Sequence, residues 1–279
     1  MRDNNVIKYL QCPLCSAKMA VSDDKKRLYC LGQRSHSFDF SSKGYVNFAI
    51  NKGATGDSKE AVRSRSDFLN KDYYKPVCEW LCEILKKYKS KGFLIDAGCG
   101  EGYYTKHIAD CGYRVLGLDL SKSAINSTAS RLQIKNNNDS FACVGSIFKM
   151  PVCDACADAV VSIFAPCAEQ EMGRVLTNDG IMIVVSAGRE HLMGLKRVLY
   201  DNPYENDDRA DMPMGMELLE QTSVSYSVTL KSNEDILNLF SMTPYYWRTS
   251  PSDREKLLGI DSLTTDVDII FSVYRKVKQ

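Results

Sequence analysis

The chain has 279 residues, a formal net charge of +1, 44% hydrophobic and 25% charged residues. That length accommodates one full α/β domain with a smaller companion, and the balance is that of a soluble globular protein without low-complexity tracts. No apolar run approaches the ~20 residues of a membrane span and the N-terminus has no signal-peptide core, so the expected location is cytoplasmic. Eleven cysteines, an odd number, argue for reduced thiols and a metal rather than disulfides.

The charge is unevenly placed. Residues 1–90 hold 17 Lys/Arg against 10 Asp/Glu, a net of +7, and the remainder holds 19 against 25, a net of −6. A basic N-terminal part beside an acidic remainder suits contact with a polyanion, although solubilising surface charge reads the same way. Within it, Cys12-Pro-Leu-Cys15 is followed by Cys30 and His36. A C-x-x-C knuckle lets two thiolates hold one Zn²⁺, and a second pair returning across a hairpin completes the tetrahedron. Lys25–Tyr29 is the expected return strand, and with only three histidines in the chain His36 is the natural fourth ligand. Four protein ligands leave no open position, so the predicted zinc is structural.

Residues 51–57 (NKGATGD) are polar and glycine-containing, which predicts a mobile loop or linker. Ala61–Leu69 reads as a helix carrying Arg63 and Arg65, cations for either phosphate or solvent. Tyr73 and Tyr74 precede Pro76, after which Val77, Leu81, Ile84, Leu85 and Tyr88 mark an amphipathic helix.

The stretch Phe93–Thr105 (FLIDAGCGEGYYT) organises the rest of the chain. An apolar strand ends in Asp96, and Gly98, Gly100 and Gly102 alternate before a helical pattern, the opening of a nucleotide-binding α/β unit. A dinucleotide turn wants G-x-G-x-x-G. Here the spacing is G-x-G-x-G with an acid before it, which suits a ligand bearing an ammonium and a sulfonium, S-adenosylmethionine (SAM). Asp119 ends the next strand, Arg114–Leu120, where an acid can accept ribose hydroxyls. Strand and helix then alternate: helix 121–132, strand 141–145, strand 157–164, helix 168–176 and strand 180–187. Cys153-x-x-Cys156 lacks a second ligand pair and is not read as a metal site. Phe164-Ala-Pro-Cys167 closes a strand at the sheet's carboxyl edge; a thiolate nucleophile at Cys167 is the disfavoured alternative to packing. Residues 203–220 are acidic (Asp207, Asp208, Asp211) and read as a long loop or lid. Ser223–Leu230 and Asp268–Tyr274 are the expected final antiparallel pair, with helix 234–242 between them.

Cys12-Pro-Leu-Cys15, Cys30, HSFD (36–39), KGYVN (43–47), RSRSDFLNKDYY (63–74), DAGCGEGYYT (96–105), FAPC (164–167), GREHLMGLK (188–196) and MTPYYWR (242–248) together resemble the bacterial 23S rRNA (guanine-N1)-methyltransferase family. The family pattern places the histidine closer to the third cysteine than His36 stands here. The resemblance implies a zinc-ribbon head over residues 1–50, a connecting segment over 51–71, and a Rossmann-like class I methyltransferase domain with a seven-stranded, mostly parallel sheet over 72–279. It implies SAM and Zn²⁺ as cofactors and 23S rRNA as partner, and leaves a homodimer open. The metal ligands would be Cys12, Cys15, Cys30 and His36. The cofactor would meet Asp96, Gly98, Gly100, Gly102, Asp119 and, at a position that commonly faces adenine, Ile147; Tyr74, Tyr104, Thr105 and His191 enter by resemblance alone. Guanine N1 carries a proton, so a base is needed, for which Asp39 and His191 are candidates by residue type only. The competing readings are methylation of a pyrimidine carbon 5, a small molecule or a protein, and an inactive zinc RNA-binding module.

Overall fold

The computed structural model describes residues 5–49, 56–133, 139–208 and 212–277. Three short strands, β1 (Met19–Val21), β2 (Arg27–Cys30) and β3 (Ser37–Asp39), form an antiparallel sheet at the N-terminus. β4 (Val46–Asn47) then leaves this head. α1 (Lys59–Leu69) and α2 (Lys75–Tyr88) precede the alternating unit β5 (Phe93–Ala97), α3 (Tyr103–Asp110), β6 (Arg114–Asp119), α4 (Lys122–Gln133) and β7 (Phe141–Val144). β8 (Ala157–Ile163), α5 (Glu169–Val175), β9 (Leu176–Ala187), α6 (Met193–Leu199) and β10 (Met216–Leu230) come next. The chain closes with α7 (Asn233–Ser241), α8 (Tyr245–Arg248), α9 (Pro251–Glu255) and β11 (Leu263–Lys276).

The large sheet has eight strands in the order β10-β11-β9-β8-β5-β6-β7-β4. Strands β9, β8, β5, β6 and β7 run parallel, and β11 enters antiparallel between β9 and β10. The seven expected strands are present, and β4 adds an eighth by pairing parallel with β7, Val46 opposite Cys143. Two residues with no alternation around them give no strand signal; only the exposed edge of β7 recruits them.

All five residues of β5 are buried, as a strand covered on both faces requires. Its alternate side chains enter two cores. Leu94 belongs to the core on the helical side that also holds Leu81, Ile108 and Ile125. Phe93, Ile95 and Ala97 pack with Leu10, Leu28 and Cys30 of the head and with Met172. The head is therefore laid on the sheet and shares its core. Tyr9 stacks on Phe93, Leu10 bridges to Val152, and Phe48 N–H donates to Val144 O at 2.8 Å.

Residues 51–55 of the expected linker lie outside the described residues, and so does Asp211 of the acidic stretch. The rest of the connecting segment is no bare tether: α1 starts on a Ser58 cap and buries Val62, Phe68 and Leu69. The lid expected over 203–220 also differs. Met216–Glu220 belongs to β10, zipped to β11 from Met216 opposite Lys276. Residues 204–206 are pinned by Lys196, whose Nζ donates to Tyr204 O (2.8 Å) and Asn206 Oδ1 (2.7 Å), while Asn206 Nδ2 donates to Gly188 O and His191 O. Polar composition suggested a loose loop; the fully buried Lys196 instead takes its acceptors from that loop.

Candidate cofactor site and metal centre

At the carboxyl end of β5 the chain turns sharply, with Gly98, Gly100 and Gly102 at φ of +83°, +54° and +86°. Gly98 and Cys99 N–H groups both donate to Leu118 O at the end of β6, which holds the loop against the neighbouring strand. A Cβ at Gly98 would stand 2.6 Å from Ala165 Cβ, so the loop backbone presses directly on the turn after β8. The signals read in FLIDAGCGEGYYT thus describe a real strand, turn and helix.

Asp96 points to the helical side of β5 and is 1% exposed. Thr105 Oγ1, in the first turn of α3, donates to its Oδ2 at 2.6 Å. Burial drives its carboxyl up to about 7, opposed by the Thr105 hydrogen bond and reinforced by the like charges of Asp119 and Glu101. Its Oδ1 has no partner, and neither does the Tyr104 hydroxyl; among the described residues these are the two buried side-chain polar atoms so placed. Leaving such atoms unpaired costs about 1–3 kcal/mol each, more for charge. Asp119 is used differently: Oδ2 accepts from Gly100 N–H (3.0 Å) and Oδ1 from Ser121 N–H (2.7 Å). Burial raises its carboxyl too, against those two bonds. Ile147 is buried in the turn after β7, with Leu118 and Val152 in its core.

Tyr74 and His191, over a hundred residues apart, meet: Tyr74 Oη lies 3.3 Å from His191 Nε2. Asp268 N–H donates to His191 Nδ1 at 3.2 Å, so in the neutral ring Nε2 carries the hydrogen and gives it to Tyr74. Burial lowers this imidazole to about 4. His191 has no free acceptor nitrogen and is corrected here from candidate base to fixed neutral ring. Asp39, the other candidate, is exposed on β3 opposite Arg27, in a different sheet from Asp96.

Two residues to which the sequence reading gave no place in the cofactor site stand beside its loop. Arg65 of α1 reaches the glycine loop, 3.4 Å from where a Gly100 Cβ would stand, and pairs with Asp57 at 2.6 Å. Phe164, at φ of +52° and 45% exposed, stands beside Tyr104 and His191. The sequence left Arg65 open between phosphate and solvent and placed Phe164 at the sheet's carboxyl edge; contact with the glycine loop and an exposed ring depend on segments far apart in the chain.

In the head, ligand atoms of Cys12, Cys15, Cys30 and His36 all lie within 4.8 Å of one another. His36 Nδ1 is 3.5 Å from both Cys12 Sγ and Cys30 Sγ, and Cys15 Sγ is 3.7 Å from Cys30 Sγ. A zinc with bonds of about 2.0–2.3 Å makes tetrahedral edges of roughly 3.5–3.8 Å, so the donor set fits that ion. The wide Cys30–His36 spacing closes because Cys30 N–H donates to His36 O (2.9 Å) and His36 N–H to Cys30 Sγ (3.2 Å). No other such cluster occurs among the described residues. Cys156 Sγ donates to Cys153 O at 3.0 Å instead of facing Cys153 Sγ. Cys167 lies 3.9 Å from Met172 Sδ, and burial, with Glu169 nearby, pushes its thiol up to about 11, unlike an activated nucleophile.

Comparison with known proteins agrees with this geometry. Residues 10–49 match the family model described as "RlmA, N-terminal", and residues 95–184 match "Methyltransferase domain". The "Putative 23S rRNA (guanine-N(1)-)-methyltransferase YxjB" of Bacillus subtilis (strain 168) is 30% identical over 282 residues, covering 94% of this chain and 96% of that one. The "23S rRNA (guanine(748)-N(1))-methyltransferase" of Streptomyces fradiae is 26% identical over 289 residues, covering 97% and 98%. Among the described residues no helix is long and apolar enough to cross a membrane.

Proposed function

Because this chain belongs to the family of 23S rRNA (guanine-N(1)-)-methyltransferases, we propose that its residues divide the work of methylating N1 of a 23S rRNA guanine between a zinc-held head and a SAM pocket. The observation that carries the cofactor assignment is the pair of unpartnered buried atoms, Asp96 Oδ1 and Tyr104 Oη, flanking the glycine loop. An ammonium offsets the first and a carboxylate the second, which are the two ends of an amino acid. SAM, when bound, supplies the electrophilic sulfonium methyl. Gly98, Gly100 and Gly102 would admit its methionine end, Asp119 its ribose and Ile147 its adenine. Thr105 orients Asp96, while Tyr74 and His191 back the pocket from behind. The chain's contribution to the reaction is alignment of acceptor and methyl and exclusion of water.

The head supplies grip. Lys25, Lys26, Arg27 and Arg34 are exposed around the β1–β2 turn and the metal site. A shallow groove of about 580 Å³ beside them is lined by Asp23, Asp24, Arg27, Tyr29, Ser35 and Ser37. Phosphate contacts from the four cations would position a folded RNA without reading its sequence. A cytoplasmic location goes with a ribosomal RNA substrate.

Mass mapping of nucleosides in 23S rRNA from cells with and without the protein tests the assignment. A 1-methylguanosine present only with the protein is expected. A 5-methylated pyrimidine in its place would overturn the nitrogen reading and revive Cys167, although the thiol's burial opposes that chemistry.

A further inference from the structure

Beside the cofactor loop stands a large apolar side chain in a place that folding alone does not require. Phe164 directly follows β8, at the sheet edge next to Asp96, with φ of +52°, a conformation bulky L-residues rarely adopt. Several contacts impose it. Phe164 N–H donates to Val185 O at 3.0 Å, Ser162 Oγ donates to Ala165 O at 3.1 Å, and Ala165 is pressed against Gly98. The outcome is a ring 45% exposed, whereas Phe93 and Phe141, which open β5 and β7 at the other edge of the sheet, are buried. Strain of this kind collects where a side chain has to be presented rather than packed.

The exposed ring is also backed. His191 lies nearly parallel to it, with centroids 6.1 Å apart and planes 15° off parallel, and Tyr104 flanks it at 6.5 Å. His191 is itself held by the Asp268 N–H on one ring nitrogen and by Tyr74 on the other. A rigid aromatic surface, supported behind and open to solvent, adjoins the loop that would hold the methyl donor. Guanine N1 is hidden by pairing inside a helix, so an acceptor guanine has to be unpaired or extruded, and such bases are held by stacking on aromatic rings.

We propose that Phe164 is the stacking platform for the acceptor guanine, with His191 as the positioning residue that fixes the platform's orientation. The platform rests on the guanine-N1 reading of the site. Phosphate contacts supply most of the RNA affinity, so the platform acts after docking, on the fraction of bound complexes whose guanine is seated for transfer.

The test compares the full-length wild type with Phe164→Leu and Phe164→Tyr on 23S rRNA from cells lacking the protein, with zinc content and SAM dissociation constant as checks of folding. Phe164→Leu keeps bulk and loses the π face. Its kcat should fall roughly ten- to a hundredfold, the range expected for losing one base–aromatic stack, with KM for RNA and SAM affinity within about threefold. Phe164→Tyr should restore most of the rate. Wild-type kcat in Phe164→Leu, or a Phe164→Tyr as impaired as the leucine variant, overturns the platform. A loss of SAM affinity that accounts for the lost rate would assign Phe164 to the cofactor pocket and overturn it as well. If the wild type itself fails to methylate guanine N1, the functional reading fails; an active wild type with an unaffected Phe164→Leu rejects the platform alone.

Discussion

Tyr9 lies flat on Phe93, ring centroids 4.3 Å apart and planes 9° off parallel, joining the zinc-bearing head to the first strand of the cofactor fold. Phe93 is three residues before Asp96, on the strand that delivers it. Metal site and cofactor site are therefore two ends of one packed structure.

That contact leads to a prediction about zinc. The purified chain should carry about one zinc, and Cys12→Ser should lose it. Because the head contributes Leu10, Leu28 and Cys30 to the core under β5 and β6, zinc loss should lower Tm of the whole chain in a single transition and weaken SAM binding. A structural zinc worth several kcal/mol corresponds to a fall of roughly 10 °C or more for a chain of this size. Calorimetry checks it: a separate, unshifted core transition would mean that the head folds independently.

A second prediction concerns pH. Burial raises Asp96 to about 7 from its ordinary 3.8. Between those values the folded apoprotein binds more protons than the unfolded chain, so this group's contribution to stability declines as pH rises through the window. An ammonium binds the ionised form, so SAM affinity should instead tighten, by roughly tenfold from pH 6 to pH 8. Asp96→Asn should bind weakly and without that dependence. Calorimetric titration at several pH values decides it, and a flat wild-type profile would remove Asp96 from the ammonium's site.

The glycine loop and its acid give a third. Asp119→Ala deletes the charged acceptor of the Gly100 and Ser121 N–H groups and, on the proposed reading, that of the ribose, and should weaken SAM by about 1.5–3 kcal/mol, roughly ten- to a hundredfold or slightly more. Gly100→Val should abolish binding, since φ there is +54°, a backbone conformation that a β-branched residue rarely adopts. Equal affinity for NADH and SAM would show that the loop does not select its ligand.

The last concerns RNA. Neutralising Lys25, Lys26 and Arg27 together should weaken RNA binding at low salt and reduce the slope of log affinity against log salt by about two to three. The SAM dissociation constant should stay the same. An unchanged slope in filter-binding measurements would place the RNA elsewhere. Cys167→Ala, meanwhile, should keep substantial activity, because nitrogen methylation forms no thiol adduct.

Short-range spacing was enough for much of this protein. The distances Cys12–Cys15 and Asp96–Gly98–Gly100–Gly102 are set by ligand and turn geometry over a few residues, so they can be read without a fold, as can the alternation that becomes β5 to β9. Other features depend on segments far apart in the chain meeting. β4 became a strand because β7 offered an open edge, and the supposed lid was tied down because a buried lysine needed acceptors. His191 lost its candidacy as a base when Asp268 N–H took Nδ1 and Tyr74 took the other nitrogen. Phe164 was exposed by a backbone angle that Gly98, Ser162 and Val185 impose together. Protonation state, tautomer and presentation are properties of a side chain's surroundings, and those surroundings exist only once the chain has closed on itself.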